Sequence, residues 1–179
     1  GLEVLGSYAG LVYALPVIGG VLADRYLGMR KAVLFGGILL CLGHLLMAYE
    51  GHQAVQYAAG TVLESALTLT DGTILAAGTT LQETIKIQDL AALNVFYFAL
   101  ALIVTGVGFL KPNISTIVGQ LYQEGDPRRD SGFTIFYMGI NIGSFFATLI
   151  CGYLGETYVW GYGFGAAGIG MLLGLVTFI

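Results

Sequence analysis

The sequence contains few charged residues. Only 10% of its 179 residues are Asp, Glu, Lys or Arg, against about 25% in a typical soluble domain, which excludes a soluble globular enzyme and a disordered chain. The net charge of −4 offers phosphate groups no basic surface, so a nucleic-acid-binding protein is excluded as well. The two cysteines, Cys41 and Cys151, lie in apolar runs, and the sequence predicts neither a disulfide framework nor a metal site.

Apolar residues are abundant instead. They make up 56% of the chain, in runs long enough to cross a bilayer, which takes about 20 residues. Because the backbone in lipid must satisfy its own hydrogen bonds, these runs predict an all-α polytopic membrane protein. The chain begins at a glycine and stops inside an apolar run, so we expect a fragment of a larger protein. The predicted spans are residues 2–23, 32–48, 91–121, 131–155 and 161–179.

The basic residues predict the orientation of these spans. Five of the seven lie in the predicted turns 24–31 and 122–130. Two spans separate the turns, so both face the same side, which the positive-inside rule makes cytoplasmic. The connection 49–90 is then external, and a bacterial source would make the membrane the cell (inner) membrane.

This connection is longer than most loops. Alternating apolar and polar residues flank Asp71 and Gly72, a strong hairpin signal that predicts an external β-hairpin around residues 67–75. A sixth short span or an interfacial helix is the alternative, which the density of Thr, Glu and Asp disfavours. Residues 84–89 stay unassigned.

Glycines recur four residues apart on the predicted spans. That spacing puts both glycines on one helix face and allows two backbones to approach closely, so it predicts helix packing and no particular function. The pairs are Gly6/Gly10, Gly139/Gly143, Gly161/Gly165 and Gly170/Gly174.

Lys111 is the first candidate for a functional residue. It lies about 15 Å along the third span from Leu121, well inside the hydrocarbon, where a lysine costs at least about 2.5–3.5 kcal/mol. Pro112 removes the helix hydrogen bond to Gly108 and predicts a kink. A functional role is favoured over a structural ion pair, and we expect any carboxylate partner to lie in a helix outside this chain.

Tyr137 and Asn141 are the second candidates, since residues four apart share one helix face. Asn141 lies near the centre of its span, where an unpaired amide is costly. It hydrogen-bonds either a neighbouring helix or a substrate, and the residues alone leave the two open. Tyr13, on the first span, raises the same question more weakly.

Catalytic chemistry finds little support in the sequence. His44 is favoured as a satisfied structural histidine over a proton relay. A membrane-embedded hydrolase that uses His44 with Ser144 is a remote alternative, because the sequence contains no zinc-binding HExxH motif, nucleophile elbow or P-loop.

Asp24, Arg25, Arg30 and Lys31 form a charge cluster at the first predicted turn, where Gly28 permits the chain to reverse. A positive-inside turn with a local salt bridge would account for the charges alone. The whole pattern is more specific and resembles the loop between the second and third helices of major facilitator transporters. The resemblance implies a charge network that latches one conformation of the transporter.

Three stretches together resemble the proton-dependent oligopeptide transporter family of the major facilitator superfamily. They are GGVLADRYLG at residues 19–28, GFLKPN at 108–113 and FTIFYMGINIGSF at 133–145. Their order and spacing agree with the family, and only residues 52–90 fall outside the resemblance. It implies a partial N-terminal bundle of the major facilitator fold, with these spans as its second to sixth helices.

The resemblance also implies proton-driven inward symport of di- and tripeptides by alternating access, with protons as the only coupling cofactor and a site between two halves. By motif, Tyr13 and Asn141 would contact the peptide, Asn141 at its amino-terminal region, and Tyr137 would shape the pocket. Lys111 would stand near the peptide carboxylate, pair with carboxylates of the first helix and couple proton to movement. The partners implied are the peptide, the bilayer, and the missing first helix and C-terminal half.

Two departures from the family pattern matter. Some members carry a histidine seven residues before the tyrosine at position 13, where this chain has Gly6, so a histidine-based proton step is lost at that place. The Glu-x-x-Glu-Arg motif of the first helix and the C-terminal half are also absent. Transport of nitrate or another small anion by the same fold, and a passive channel, remain alternatives.

Overall fold

The structure is a computed structural model that describes residues 2–52 and 54–179. In this part of the chain there are five long helices, each long and apolar enough to cross a membrane, and four short strands. The helices are α1 (Leu2–Leu22), α2 (Met29–Met47), α3 (Leu90–Gln120), α4 (Arg129–Thr157) and α5 (Trp160–Phe178). The strands are β1 (Val55–Tyr57), β2 (Leu67–Thr68), β3 (Ile74–Leu75) and β4 (Ile85–Ile87).

The chain divides into two compact units. One, the helical unit, comprises Gly1–Ala48 and Phe98–Ile179, and the other, the strand unit, comprises Tyr49–Tyr97. All five spans predicted from the apolar runs are present as helices, with ends that differ by a few residues from those predicted.

Helix α2 forms the centre of the helical unit. It packs against α5 and against α3, and it holds the largest share of buried residues of any span. Helix α4 packs against α5, and within α4 Gly155 is buried while nearly all other side chains are exposed. The exposed side chains of α4 are mostly apolar, as they are in a helix that contacts lipid or further helices.

Helices α1 and α3 cross at their backbones. A methyl group built on Gly19 would collide with the carbonyl oxygen of Gly108, so only hydrogen fits between them. Pro112 has no N–H, and Gly108 is the residue four positions earlier whose carbonyl it would otherwise have bonded. The close approach of Gly19 covers this carbonyl, a geometry in which Cα–H···O contacts stabilise helix pairs. Helix α3 continues through Pro112 without interruption.

The predicted turn 24–31 is wrong in its extent. A π-helical turn, Ala23–Leu27, continues α1 directly, and α2 already begins at Met29. Gly28 alone breaks the helix, with φ 77°, a conformation that costs glycine no steric strain. Arg30 and Lys31 therefore lie in the first turn of α2 rather than in a loop.

The glycine spacing identifies one contacting pair of the four: Gly161 is buried, and a Cβ on Gly165 would lie 3.6 Å from the Ala48 Cβ. The other three pairs make no close contact. A Cβ on Gly6, Gly10, Gly139, Gly143, Gly170 or Gly174 would meet no described residue within 4 Å. Other close contacts are made by glycines without a four-residue partner on the same face. Gly36 and Gly106 form the clearest pair: a Cβ on Gly36 would lie 2.6 Å from the Gly106 oxygen, and a Cβ on Gly106 2.7 Å from the Gly36 oxygen.

The strand unit contains the predicted hairpin. Strands β2 and β3 pair antiparallel, Leu67 with Leu75 and Thr68 with Ile74, around a turn in which Asp71 accepts a hydrogen bond from the backbone N–H of Thr73 at 2.9 Å. The hairpin extends further than predicted, because β1 pairs antiparallel with β4. Strand β4 occupies residues 85–87, half of the segment 84–89 for which the sequence predicts no element.

An internal repeat underlies this longer hairpin. The residues AAGTVL at 58–63 recur as AAGTTL at 76–81, 18 positions later. The two copies bond each other symmetrically: Gly60 N–H donates to the Leu81 carbonyl and Gly78 N–H to the Leu63 carbonyl, both at 2.7 Å. Leu63 and Leu81 are both 4% exposed and are the buried core of the strand unit.

Candidate functional site

The α1–α3 crossing brings two predicted site residues together. The Lys111 ammonium lies 5.1 Å from the centroid of the Tyr13 ring, within the range of about 6 Å for a cation–π interaction. Gly19 and Gly108 fix this geometry, because the helices can approach only where both lack a side chain. Both Tyr13 and Lys111 are exposed, so the pair lies on an open face of the helical unit.

The Lys111 ammonium has no carboxylate partner within 4 Å in residues 2–52 and 54–179. A lysine in the middle of a membrane helix faces a cavity or pairs with an opposite charge. The open position of Lys111 leaves room for such a partner outside this chain, as the sequence predicts.

Tyr137 and Asn141 lie one turn apart on α4, as predicted from their spacing. The Asn141 side-chain N–H donates to the Tyr137 carbonyl at 2.8 Å, and the ring of Tyr137 stacks near Phe133 with centroids 6.5 Å apart. This bond satisfies one amide hydrogen of Asn141 and leaves its carbonyl oxygen able to accept. In the described residues no contact joins Tyr137 and Asn141 to Tyr13 and Lys111.

A buried polar residue, Asn113, lies two residues beyond Lys111. It is 2% exposed, and its amide N–H donates to the Phe109 carbonyl at 2.7 Å. Buried amides are stable only when hydrogen-bonded, and this bond makes Asn113 a structural residue of α3 in this chain.

His44 behaves as the structural histidine that the sequence favoured. Its Nδ1 lies 2.8 Å from the Leu40 carbonyl oxygen, so this nitrogen carries a proton that it donates within α2. No group of three or more His, Cys, Asp or Glu side chains that could hold a metal occurs in the residues that the structure describes.

The charge cluster surrounds a cavity of about 490 Å³. Asp24 and Arg30 line the cavity from the first junction, and residues near the ends of α3 and α5 complete it. The Arg30 guanidinium donates to the Ile179 carbonyl at 3.0 Å. None of Asp24, Arg25, Arg30 and Lys31 forms an ion pair with a described residue. The local salt bridge that would account for these charges alone is therefore not formed within the described residues.

Two acidic residues with structural roles were missed by the sequence analysis. Asp126 accepts two hydrogen bonds from the Arg128 guanidinium, at 3.1 and 2.9 Å, and this side chain lowers the pKa of the Asp126 carboxyl. Asp89 precedes α3, where its carboxylate accepts the N–H of Ala92 at 3.0 Å. That bond and a second from the His52 N–H lower the pKa of Asp89. An aspartate directly before an apolar helical run is an N-cap signal that would have found Asp89.

The arrangement described so far is that of a polytopic membrane protein with five candidate spans in the described residues. A family model described as PTR2, the POT family, matches residues 30–179. The chain belongs to this family, the proton-dependent oligopeptide transporters of the major facilitator superfamily, which are secondary transporters and not enzymes.

Its relatives include three bacterial proteins. It is 41% identical over 177 residues to the uncharacterized transporter YclF of Bacillus subtilis, covering 99% of this chain and 28% of YclF. It is 38% identical to the peptide transporter YePEPT of Yersinia enterocolitica, with 98% and 27% covered, and 33% identical to dipeptide and tripeptide permease A of Cronobacter turicensis, with 99% and 28% covered. The chain thus spans little more than a quarter of these transporters.

Solved structures agree with this assignment. A crystal structure of a peptide transporter POT in complex with alafosfalin matches 99% of this chain and 28% of its own, at 41% identity and a TM-score of 0.73. A POT family transporter in complex with 5-aminolevulinic acid matches 94% of this chain and 26% of its own, at 31% identity and a TM-score of 0.69. The five helices are therefore a fragment of a major facilitator fold.

Proposed function

We propose that the transporter to which this chain belongs carries di- and tripeptides into the cell together with protons, by alternating access. The chain would supply the second to sixth helices of its N-terminal half. The observation that carries the proposal is the Lys111 ammonium on an open face beside Tyr13, without a carboxylate within 4 Å in the part of the chain described. Two relatives named for peptide or di- and tripeptide transport support the same cargo.

A peptide zwitterion matches the polar groups of the four candidate site residues. Its carboxylate requires a cation, which Lys111 supplies, because charge-assisted hydrogen bonds are the strong ones. Its ammonium requires acceptors, and the carbonyl oxygen of Asn141 remains able to accept after the amide N–H has bonded Tyr137. Tyr137 and Tyr13 would line the pocket between these two ends.

Proton coupling follows from a competition for Lys111. A carboxylate in the rest of the transporter pairs with Lys111 when ionised and releases it when protonated. The released Lys111 ammonium then binds the peptide carboxylate, so the transporter binds the proton and the peptide together. Alternating access then needs a conformational latch, for which Asp24, Arg25, Arg30 and Lys31 are the candidates. Their charges form no ion pair with one another, and Asp24 and Arg30 line an open cavity.

The orientation proposed from the basic residues puts segments 24–31 and 122–130 in the cytoplasm and residues 49–90 outside. A single cysteine at Glu124 and another at Glu64 of the parent, each labelled from outside intact cells by an impermeant thiol reagent, test this. Labelling at position 64 alone is expected. Labelling at position 124 alone would show that the orientation is the opposite of the one proposed.

Uptake of a labelled dipeptide into liposomes holding the full-length parent tests the function. Saturable accumulation is expected with an inward proton gradient and not without it, and an unlabelled tripeptide should compete. If the folded protein accumulates no dipeptide but accumulates labelled nitrate under the same gradient, the cargo is a small anion and the peptide proposal is wrong.

Lys111→Ala tests the coupling step in the same liposomes. The variant should lose gradient-driven accumulation while keeping part of its peptide exchange, because exchange needs no net proton movement. Ser115→Ala, one helical turn further along α3, is the matched control and should retain both. Normal driven accumulation by Lys111→Ala would show that the lysine does not couple the proton.

A further inference from the structure

The α1–α3 crossing brings Tyr13 and Lys111 near each other. Gly19 lies against Gly108, and a Cβ on Gly108 would lie 3.0 Å from the Cβ of Leu15. These backbone contacts follow Tyr13 along α1 and precede Lys111 along α3. They bring the two helices close enough for the Lys111 ammonium to lie 5.1 Å from the centroid of the Tyr13 ring.

We propose that Tyr13 is a positioning residue for Lys111. Its ring face stabilises the Lys111 ammonium by a cation–π interaction in the state in which no carboxylate pairs with the lysine. The inference rests on the proposed function, because it is the proton-loaded transporter that leaves Lys111 without its carboxylate.

The physical reason is the cost of a charged amine without a partner. An ammonium inside a membrane protein loses its proton unless something replaces the water that it gives up. A neutral amine could neither bind a peptide carboxylate nor attract the next carboxylate in the cycle. The electron-rich ring face attracts a cation without hydrogen-bonding it, so it stabilises the charge and still releases it to a stronger partner.

The ring, and not the hydroxyl, is the part of Tyr13 that this role requires. The Lys111 ammonium lies over the ring, and the Tyr13 hydroxyl forms no hydrogen bond with a described residue. Tyr13→Phe should therefore preserve the effect. Fluorination of the phenylalanine ring at the same position should weaken the cation–π interaction stepwise. Each fluorine withdraws electron density from the ring face and hardly changes the size of the ring.

The test is the chemical reactivity of Lys111 in the full-length parent in detergent, without substrate, at a mildly acidic pH that keeps the partner carboxylate protonated. A small acylating reagent modifies only the neutral amine, and mass spectrometry reports the acylation of Lys111 relative to Lys86, an exposed lysine on β4 that serves as the internal reference. The series is wild type, Tyr13→Phe, and the same position carrying mono-, di- and trifluorinated phenylalanine.

We expect Tyr13→Phe to react within about twofold of wild type, and the Lys111-to-Lys86 ratio to rise with each fluorine, to about three- to tenfold in the trifluorinated protein. Because all the rings have nearly the same size, access of the reagent does not change along the series. A flat series would overturn the proposal, and so would a rise already complete in Tyr13→Phe, which would assign the effect to the hydroxyl.

The transport readout separates this proposal from the proposed function. Acylation needs no substrate, so a graded series in a protein that accumulates no peptide would refute the cargo and leave the role of Tyr13 standing. In a protein that does accumulate peptide, the ratio of driven uptake to exchange should fall along the same series. An unchanged ratio beside a flat acylation series would refute the role of Tyr13 alone.

Discussion

Replacing Gly19 with alanine would place a methyl group against the backbone of α3. The added Cβ would lie 2.6 Å from the Gly108 carbonyl carbon and 3.1 Å from the Phe109 nitrogen, and closer still to the Gly108 oxygen. These are backbone atoms of a helix and cannot rotate away as a side chain can. Gly20, the next residue, offers the comparison, because a Cβ there would lie 3.7 Å from Pro112, an ordinary van der Waals contact.

The magnitude follows from two opposing terms. Overpacking a rigid contact costs about 1–3 kcal/mol, and a backbone obstacle belongs at the upper end. Alanine gains about 1 kcal/mol over glycine within a helix. Gly19→Ala should therefore destabilise the protein by about 1–2 kcal/mol, whereas Gly20→Ala should be neutral or stabilise it by up to about 1 kcal/mol.

Thermal unfolding of the full-length parent in one detergent measures the difference. Gly19→Ala should lower the midpoint below that of wild type, whereas Gly20→Ala should leave it unchanged or raise it. Equal midpoints for Gly19→Ala and Gly20→Ala would refute the close α1–α3 crossing, and with it the geometric basis for pairing Tyr13 with Lys111.

Two further predictions concern the strand unit. Leu63→Ala and Leu81→Ala should each destabilise the strand unit by about 2–5 kcal/mol. The two losses should be similar, because the two side chains are equally buried. Backbone hydrogen exchange of residues 54–89 measures both losses, and a twofold difference between the two free energies would refute the equivalence of the two residues. Asp89 has a lowered pKa, so its ionised form contributes stability above about pH 3.9, and this contribution disappears as the pH falls through its folded-state pKa. Asp89→Asn keeps a capping oxygen and should flatten the loss of stability between pH 6 and 3 in denaturant melts, and an unchanged acid slope would contradict the assigned role of the carboxylate.

The sequence predicted the helices well because lipid imposes one simple rule on them. Runs of about 20 apolar residues must be helical in a bilayer, and each predicted run became a helix. Their ends were less predictable, since Arg30 and Lys31 read as loop residues by charge yet lie in the first turn of α2. Charge marks the membrane surface, and a helix can extend beyond that surface.

Contacts between helices could not be predicted from glycine spacing. A face of two glycines permits close approach, but the partner helix decides whether approach occurs. Gly19 contacts α3 because Gly108 lies opposite it, and this is a relation between two distant segments. The pairing of Tyr13 with Lys111 was beyond the sequence for the same reason, although both residues had been singled out individually.

The strand unit was only partly predicted, because turn chemistry is local and strand pairing is not. Asp71 and Gly72 marked the tip of the hairpin. Strand β4 pairs with β1, about 30 residues earlier in the chain, and carries no turn signal of its own. A search for internal repeats would have exposed the relation, since self-similar segments often fold as equivalent units.

Extended to 18 residues each, the two copies of the repeat are residues 55–72 and 73–90, and the strand pairings described above join one copy to the other. Strand β1 of the first copy pairs with β4 of the second, and β2 of the first pairs with β3 of the second. The two copies are therefore related as the subunits of a twofold-symmetric dimer are, with Val62 and Thr80 meeting at the axis. Each copy thus supplies the hydrogen-bonding partner for the strands of the other, and the tandem arrangement provides both partners within one chain.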